Sequence, residues 1–352
     1  MLLEGIFAAI TTPFYPDGRL YLRKLEHNVD RYSRSLMAGL VVLGSTGEAV
    51  MLGDEESREV LKIARESAAA EKVLLAGVAR ESVLETLKLA EFAAGQSYDA
   101  VLVRTPNFYT PQMGGAAVLN YYRMIADQSP LPVVLYNIPK FTKYDLPVEV
   151  IAELASHPNI IGLKESSGSV EKIAAIANTT KHFAKRTVTV TQTFEAVTAR
   201  MLAKTPVLGA ATFVLAEELG GGAAIAVAPP RAALKTRTRE VGFQVLSGSP
   251  ETLFDSLESG ATGAVLAMAA CAPQACHEIY TAWKDKDAAL AHEKQERILW
   301  ASKRIGGELG IPAIKQACDL NGYYGGRPRA PLLPLTAAEQ AEVAELMADL
   351  RN

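Results

Sequence analysis

Short apolar runs alternate along most of the chain with longer stretches in which apolar and polar residues recur at helical spacing. Continuous apolar runs are typical of strands buried on both faces of a parallel sheet, and the stretches between them are typical of amphipathic helices. Eight such repeats predict an α/β fold, a TIM (β/α)8 barrel, with functional groups at the carboxyl ends of the strands. The predicted strands are Gly5–Thr11, Gly39–Leu43, Val73–Gly77, Ala100–Arg104, Val133–Tyr136, Ile160–Lys164, Phe243–Leu246 and Gly263–Leu266.

Helix signals lie between and after these strands. Acidic residues at Asp54–Glu56 mark a first helical turn, and Pro147 opens a later helix. After residue 270 the strand pattern ends, and a C-terminal helical region is predicted over 271–352, following a barrel over 1–270. Its helices are Gln274–Lys284, Ala288–Lys303, Ile311–Leu320 and Ala337–Leu350, the last capped by Thr336.

The interval between the sixth and seventh predicted strands is too long for an ordinary connection, so it predicts an insertion at about residues 180–240. An insertion of this size would cover the barrel mouth or form a subunit contact. Its basic cluster is more typical of a solvated helix face than of an anion site. In chain order it holds a helix-like run, a glycine break, a proline pair and the basic cluster: Phe194–Ala203, Gly220–Gly222, Pro229–Pro230, and Arg231, Lys235, Arg237 and Arg239.

Composition narrows the class of protein. Hydrophobic residues make up 49% of the 352 residues and charged residues 21%, which are ordinary values for a globular enzyme. A net charge of -3 offers no broad basic surface to a nucleic acid or an anionic membrane. No apolar run is long enough to span a bilayer. We therefore expect small-molecule chemistry, without a nucleic-acid or membrane partner.

The three cysteines, Cys271, Cys276 and Cys318, and the five scattered histidines have no metal-ligand spacing, so no metal is expected. The N-terminus lacks the basic-then-apolar pattern of a signal peptide. Together these features predict a cytoplasmic protein.

Lys164 ends the sixth predicted strand and is followed by the turn Glu165–Gly168. Burial in an apolar site disfavours an ammonium and frees the amine as a nucleophile, as in Schiff-base lysines. Most lysines at strand ends instead extend a packed stem toward solvent. Taken alone the pattern favours that second interpretation, so the chemistry depends on what lies at the neighbouring strand ends.

Two neighbouring strand ends carry groups suited to a keto acid. The second predicted strand leads into Gly44–Glu48, where glycines let the backbone approach a ligand and consecutive amides can bind a carboxylate. A turn capped by Ser45 or Thr46 is equally consistent with this motif. The fifth strand ends at Tyr136, one strand from Lys164. Its phenol can relay protons during imine formation, although a tyrosine packed with its hydroxyl in water fits the pattern as well.

Gly44–Glu48, Tyr136–Pro139 and Gly162–Lys164 together resemble, in order and spacing, the dihydrodipicolinate synthase and N-acetylneuraminate lyase family of class I aldolases. The resemblance covers nearly the whole chain except the insertion. Within that family, the C-terminal segments Gly310–Lys315 and Gly322–Leu332 look most like 4-hydroxy-2-oxoglutarate aldolases.

The resemblance implies three catalytic side chains. Lys164 would form an imine with a 2-oxo acid, usually pyruvate, Tyr136 would shuttle protons, and Ser45 would take the place of the family's relay hydroxyl. Loss of a proton from the imine would give an enamine that attacks an aldehyde, and the reverse path would cleave a carbon–carbon bond. No cofactor or metal would be required.

The resemblance also implies how the substrate is held. Ser45 and Thr46 would bind the 2-oxo acid carboxylate through side chains and backbone amides. Gly248 and Val265 match positions near the bound keto acid. Family members often form dimers of dimers, so a homodimer or homotetramer is expected.

Two positions depart from the family's pattern. The synthases usually carry an arginine that binds the second substrate's carboxylate, but Phe141 stands in its place, and an aromatic ring cannot replace a bidentate cation. The family's second relay tyrosine, lent across a subunit interface, aligns with Phe108, which has no proton to transfer. Tyr109 beside it is a candidate replacement.

The leading prediction is a pyruvate-dependent Schiff-base lyase or aldolase, with 4-hydroxy-2-oxoglutarate cleavage as the leading specific reaction. The alternatives are a 4-hydroxy-tetrahydrodipicolinate synthase and a non-catalytic ligand-binding barrel of the same family. Phe108, Phe141 and the insertion motivate the binding protein. The joint presence of Lys164, Tyr136 and Ser45 counts against it.

Overall fold

Parallel strands close into an eight-stranded barrel in this computed structural model, which describes residues 1–203 and 234–351. The barrel confirms the predicted fold class, and its order is β1-β2-β3-β4-β5-β6-β9-β10, with β10 pairing back to β1. Within the described ranges the strands are β1 (Gly5–Ala9), β2 (Gly39–Val42), β3 (Val73–Gly77), β4 (Ala100–Arg104), β5 (Val133–Asn137), β6 (Ile160–Glu165), β7 (Arg186–Thr191), β8 (Thr236–Val241), β9 (Gln244–Ser247) and β10 (Gly263–Leu266).

Helices cover the outside of the barrel and form the C-terminal region. Those of the described ranges are α1 (Leu22–Ser33), α2 (Asp54–Ser67), α3 (Val83–Gly95), α4 (Gly115–Gln128), α5 (Pro139–Thr142), α6 (Val148–Ala155), α7 (Val170–Thr180), α8 (Ala199–Leu202), α9 (Leu253–Glu258), α10 (Pro273–Lys284), α11 (Ala288–Ala301), α12 (Ile311–Leu320) and α13 (Ala337–Leu346). The predicted long helix after Ala288 changes at Ser302–Leu309 into a π-helix. Within residues 1–203 and 234–351, none of the helices combines the length and apolarity needed to cross a membrane.

The barrel strands are mainly apolar because both of their faces are buried, and their polar residues lie at the strand ends. Alternate residues point into the barrel, where Phe7, Leu75, Val134 and Leu246 belong to one packed cluster. The intervening residues point outward and pack against the helices, as Leu135 does. A filled barrel interior leaves the strand ends as the place where polar side chains can meet.

The C-terminal region is attached to the barrel wall and to its carboxyl-terminal end. Helix α10 packs against β1 and α9, in the position of the barrel's eighth helix. The predicted boundary at residue 270 assigns α10 to the C-terminal region, although this helix packs as part of the barrel. The boundary stays a prediction. Helix α12 sends Lys315 to the loop after β1, where its ammonium donates to the Thr12 carbonyl at 2.9 Å.

The insertion lies between β6 and β9, as predicted, and its described residues hold a two-stranded antiparallel sheet of β7 and β8. Val188 and Val190 of β7 and Val241 of β8 form a small apolar cluster with Leu2. Leu2 precedes β1, so this sheet lies at the amino-terminal end of the barrel. The described part of the insertion therefore does not cover the barrel mouth, which was one of the two expectations.

Two finer predictions for the insertion are wrong. The helix predicted at Phe194–Ala203 is reduced to α8, since Phe194 has a positive φ of 66° and Thr198 is an extended N-cap, so the helix begins only at Ala199. The basic residues Arg237 and Arg239 lie on strand β8 and not on a helix face. The predicted Gly220–Gly222 break, Pro229–Pro230 and Arg231 lie outside the described residues.

Candidate active site

Lys164 and Tyr136 are direct neighbours at the carboxyl ends of β6 and β5, where they are paired in register. Lys164 is only 5% exposed, and its Nζ lies 4.1 Å from the centroid of the Tyr136 ring. A ring face attracts a cation at this distance, so the side chain is held against the phenol and does not extend into water. The structure thus brings together the two residues at the centre of the predicted chemistry.

Ser45 and Thr46 lie on the loop that follows β2. The Ser45 hydroxyl lies 3.4 Å from the Tyr136 hydroxyl, close enough for a long hydrogen bond. Thr46 is 5% exposed. The loop turns tightly, since the Gly47 amide donates to the Gly44 carbonyl at 3.0 Å. Three of the predicted groups, an amine, a phenol and an aliphatic hydroxyl, therefore form one continuous cluster.

A polar contact on the outer face of the barrel fixes the register behind this cluster. Asn137 follows Tyr136 and Glu165 follows Lys164, so both side chains point away from the barrel interior. The Asn137 amide donates to both oxygens of Glu165, at 2.9 and 3.0 Å, and both residues are almost fully buried. This contact was not predicted. The signal available in the sequence is that each catalytic candidate is followed directly by a polar residue.

Gly248 lies just after β9, and its amide donates to the Glu165 carbonyl at 2.6 Å. A methyl group at this position would collide with the hydroxyl of Ser166. That hydroxyl is buried and has no hydrogen-bond partner among the described residues. Ser166 lies two residues after Lys164 and was missed by the sequence analysis. The predicted role of Gly248 stays a prediction, now with a specific neighbour.

Val265 of β10 is fully buried in the cluster that fills the barrel, together with Tyr136 and Leu246. Leu246 is paired in register with Lys164. Val265 therefore belongs to the same apolar packing as the Tyr136 ring, and its proximity to a bound keto acid stays a prediction.

Within one chain, Phe108 and Tyr109 lie outside the cluster of Lys164, Tyr136 and Ser45. Their side chains are 76% and 61% exposed and pack edge to face on each other, with ring centroids 5.1 Å apart. Phe141 is 53% exposed on α5. The structure does not bring Tyr109 to Tyr136 within one chain, so a relay role for Tyr109 requires a second subunit or a loop movement.

Glu81 holds the loop that carries these aromatic residues. One of its oxygens accepts the amides of Asn107 and Phe108 at 2.9 and 3.0 Å, and the other lies 3.0 Å from the Arg104 guanidinium. Burial alone would raise the pKa of Glu81, but the two amides and Arg104 outweigh it and the pKa is lowered. Arg104 is paired in register with Tyr136, so it brings a cation to the rim of the site. No role was predicted for Arg104.

Among residues 1–203 and 234–351, no three histidine, cysteine, aspartate or glutamate side chains lie close enough together to hold a metal ion. The chemistry suggested by the geometry is that of the side chains themselves. The expectation that no cofactor is needed stays a prediction.

Comparison with known proteins gives a consistent result. The model of the dihydrodipicolinate synthetase family matches residues 2–202 and 230–350. A 4-hydroxy-tetrahydrodipicolinate synthase from Methanothrix thermoacetophila is 27% identical, covering 100% of this chain and 98% of that protein. One from Xanthomonas axonopodis pv. citri is 29% identical over 99% of this chain and 95% of its own length.

Among solved structures, a similar one is YagE from E. coli K12, a prophage protein of the dihydrodipicolinic acid synthase family in complex with pyruvate. It is 25% identical, has a TM-score of 0.78 and matches 99% of both chains. The segment that the family model leaves unmatched, 203–229, lies inside the predicted insertion. These matches confirm the predicted enzyme class, a carbon–carbon lyase of the class I aldolase type. The chain belongs to the dihydrodipicolinate synthetase family.

Proposed function

We propose that Lys164 forms an imine with pyruvate or a related 2-oxo acid, and that Tyr136 and Ser45 move the protons of the reaction. The observation that carries this proposal is the position of the Lys164 amine, buried and 4.1 Å from the centroid of the Tyr136 ring. The hydroxyl of Ser45 extends the proton path from the phenol. A nucleophile, a proton donor and a second hydroxyl at one strand edge form the minimum set for imine chemistry.

Each step of the proposed reaction uses a group of this cluster. The Lys164 amine attacks the keto carbon, and the hydroxyl on that carbon leaves as water after receiving a proton through Tyr136. The protonated imine then withdraws electrons, so a methyl proton of pyruvate is lost to the same relay and an enamine forms. The enamine carbon bonds to the aldehyde carbon while the aldehyde oxygen takes a proton from the same relay, and water then hydrolyses the imine, which releases the product and regenerates the amine.

Ser45 and Thr46 would hold the carboxylate of the keto acid. Their loop supplies hydroxyl groups and backbone amides without a fixed cation, which suits a small carboxylate placed next to an amine. Gly248 and Val265 would border the rest of the keto acid. Gly248 would leave room for it because it has no side chain, and Val265 would offer it an apolar surface.

For the aldehyde, we propose 4-hydroxy-2-oxoglutarate cleavage as the leading reaction. This choice rests on the resemblance of the C-terminal segments Gly310–Lys315 and Gly322–Leu332 to such aldolases. Phe141 is half exposed and carries no charge, so in either reaction it cannot bind the second carboxylate as an arginine would. The alternative is synthesis of 4-hydroxy-tetrahydrodipicolinate, which the names of the relatives support. In either case the cation nearest along the strand edge is Arg104, whose guanidinium is already bound to Glu81.

A homodimer or homotetramer would explain the exposure of Phe108 and Tyr109, since a partner would cover both rings and lend Tyr109 to its site. Sedimentation or light scattering measures the mass, and Tyr109→Phe tests the relay. If the protein is a monomer with full activity, a relay role for Tyr109 contributed by a partner subunit is excluded. A cytoplasmic location stays a prediction of the sequence.

Two experiments test the proposed function. Borohydride treatment with pyruvate should add the reduced keto acid to the peptide that contains Lys164, and Lys164→Arg should abolish the adduct. NMR in deuterated water should then show exchange of the pyruvate methyl protons, which reports enamine formation without any aldehyde. An adduct on a different residue, or no adduct at all, would contradict the proposal. Trapping without exchange would favour the binding protein.

The specific reaction needs a separate screen. Release of pyruvate is measured from 4-hydroxy-2-oxoglutarate, sialic acid and sugar acids, and the synthase reaction is measured with pyruvate and the semialdehyde. We expect the fastest turnover with 4-hydroxy-2-oxoglutarate. Faster synthesis from the semialdehyde would establish the alternative.

A further inference from the structure

A buried ion pair joins the C-terminal region to the loop that carries Ser45 and Thr46. The ammonium of Lys315, on α12, lies 2.6 Å from Oε1 of Glu48, and the exposed fractions of the two side chains are 0% and 1%. The two residues are 267 positions apart. The mechanism proposed above uses neither of them.

Both charges are enclosed by polar partners. The ammonium also donates to the carbonyls of Thr12 at 2.9 Å and Arg327 at 3.0 Å. The second oxygen of Glu48 accepts the backbone amide of Arg329 at 2.8 Å. Burial lowers the pKa of Lys315, and the charge of Glu48 opposes that effect. The pair is therefore a built contact between three segments that are distant in sequence.

Stability alone does not account for such a pair. Removing two charges from water is costly, and uncharged side chains of similar size often stabilise a fold as well or better. The best attested use of a buried ion pair is to select one geometry among several. A pair retained at this place points to a requirement for the position of the loop.

The conformation of the loop is fixed at Glu48, the member of the ion pair that belongs to the loop. Glu48 itself has a positive φ of 54°, which is uncommon for a residue with a side chain. Its amide donates to the Ser45 carbonyl at 3.1 Å, and the hydroxyl of Thr12 donates to the Gly47 carbonyl at 2.6 Å. A displacement of Glu48 would therefore move the Ser45 backbone, and with it a hydroxyl that lies at the limit of its hydrogen bond to Tyr136.

We propose that Glu48 and Lys315 are positioning residues for the proposed reaction, through which the C-terminal region fixes the loop Gly44–Glu48 in the conformation that binds the keto-acid carboxylate. The inference rests on the proposed role of Ser45 and Thr46. It adds that the helical region beyond the barrel is required for substrate affinity and proton transfer as well as for folding.

The test compares Glu48→Gln, Lys315→Met and the double variant E48Q/K315M. Each single variant leaves a buried charge unpaired and should lower the melting temperature, whereas the uncharged double variant should recover most of that loss. The pyruvate concentration for half-maximal borohydride trapping should nevertheless stay about tenfold or more above wild type, and methyl-proton exchange about tenfold or more slower. Hydrogen exchange of the Gly47 and Glu48 amides should be faster in the double variant.

A matched control removes another ion pair of the C-terminal region. Arg304 binds Glu342 through two hydrogen bonds of 2.7 and 2.8 Å, and this pair joins the π-helix to α13. Glu342→Gln should leave both pyruvate measurements unchanged.

The outcomes separate the two proposals. If wild-type protein is not trapped by pyruvate at Lys164, the proposed function fails before this inference is reached. If wild type is trapped and the double variant regains both stability and wild-type pyruvate behaviour, the pair is only structural and the inference is overturned. If the double variant does not regain stability, Glu48→Gln assayed below its own melting temperature decides the matter, and an unchanged trapping concentration overturns the inference.

Discussion

The substitution Gly248→Ala tests whether the end of β9 borders the substrate. The added methyl carbon would collide with the Ser166 hydroxyl and would lie 2.9 Å from both the Glu165 carbonyl oxygen and the Ser166 Cβ. Within the described ranges this hydroxyl has no hydrogen-bond partner, so it can rotate away without losing a hydrogen bond there. The other two atoms are constrained, because the Glu165 carbonyl accepts the Gly248 amide at 2.6 Å. The ends of β6 and β9 must therefore separate.

The size of the effect follows from these distances. The two atoms at 2.9 Å must move by about 0.5 Å to reach ordinary van der Waals separation. Overpacking of this kind costs roughly 1–3 kcal/mol, and a site at the open barrel end should lie in the lower half of that range. For a chain of this length the melting temperature should fall by about 1–3 °C. Because β6 carries Lys164, a displacement of this order should also slow pyruvate exchange by about 10–100-fold.

The assay measures melting temperature, borohydride trapping and methyl-proton exchange on the same preparations. Gly95→Ala is the matched control, because Gly95 ends α3 with no atom within 4 Å of an added methyl group. A helical alanine there should stabilise the fold by about 0.5–1 kcal/mol and leave pyruvate exchange unchanged. Adding Ser166→Ala to Gly248→Ala should not restore the lost stability, because the Glu165 carbonyl and the Cβ of residue 166 remain in place.

One result would refute the reasoning. If Gly248→Ala lowers the melting temperature as expected but exchanges pyruvate protons at the wild-type rate, the end of β9 is packed tightly but does not border the keto acid. The role that the family resemblance assigns to Gly248 would then be wrong.

Three further predictions concern separate parts of the molecule. Tyr136→Phe should slow methyl-proton exchange by about 10²–10⁴-fold with little change in melting temperature, since the hydroxyl makes one long hydrogen bond of 3.4 Å; an exchange rate near wild type would exclude the phenol from the relay. The pKa of Glu56 is lowered by its hydrogen bonds to Arg329, so its stabilising contribution is present above the unfolded-state pKa and is lost as pH falls through the lowered value. Urea midpoints of Glu56→Gln and wild type should accordingly differ at pH 7 and converge as the pH falls below the lowered pKa, and a constant difference would contradict this assignment. Asp99→Asn should destabilise the fold by about 2–4 kcal/mol, since an amide cannot accept from both backbone donors and leaves Arg200 unpaired. Its pyruvate trapping should stay at the wild-type concentration, because Asp99 precedes β4 at the other end of the barrel; a changed trapping concentration would show that the two ends are coupled.

The strands could be predicted because their pattern depends on burial alone. Of the eight barrel strands, β3, β4 and β10 have the predicted bounds, and the other five differ by one or two residues at one or both ends. The strands β7 and β8 of the insertion were not predicted. Lys164 and Tyr136 could be predicted as neighbours because adjacent parallel strands place their carboxyl ends at one edge. Local pattern and the closure of the sheet are sufficient for that conclusion.

The contacts that orient these residues could not be predicted. The Glu48–Lys315 pair joins positions that no local pattern connects, and its partners Thr12 and Arg327 contribute backbone carbonyls, which carry no sequence signal. The helix prediction at Phe194–Ala203 was wrong because that segment also makes contacts with positions distant in sequence. Thr198 donates to the Ala70 carbonyl at 2.5 Å, so tertiary contacts decide the conformation of that segment against its helical spacing.

The two additions to the barrel lie at its opposite ends, and this separates what each can affect. The described part of the insertion contacts segments that precede strands, at Leu2, Ala70 and Asp99. The C-terminal region reaches the loop after β2 through Lys315 and Arg329. In a barrel of this type, chemistry is confined to the carboxyl ends of the strands, while the amino ends contribute stability. Changes in the described insertion should therefore affect folding and assembly, whereas changes in the last helices should reach the keto acid through the contacts of Lys315 and Arg329 with Glu48.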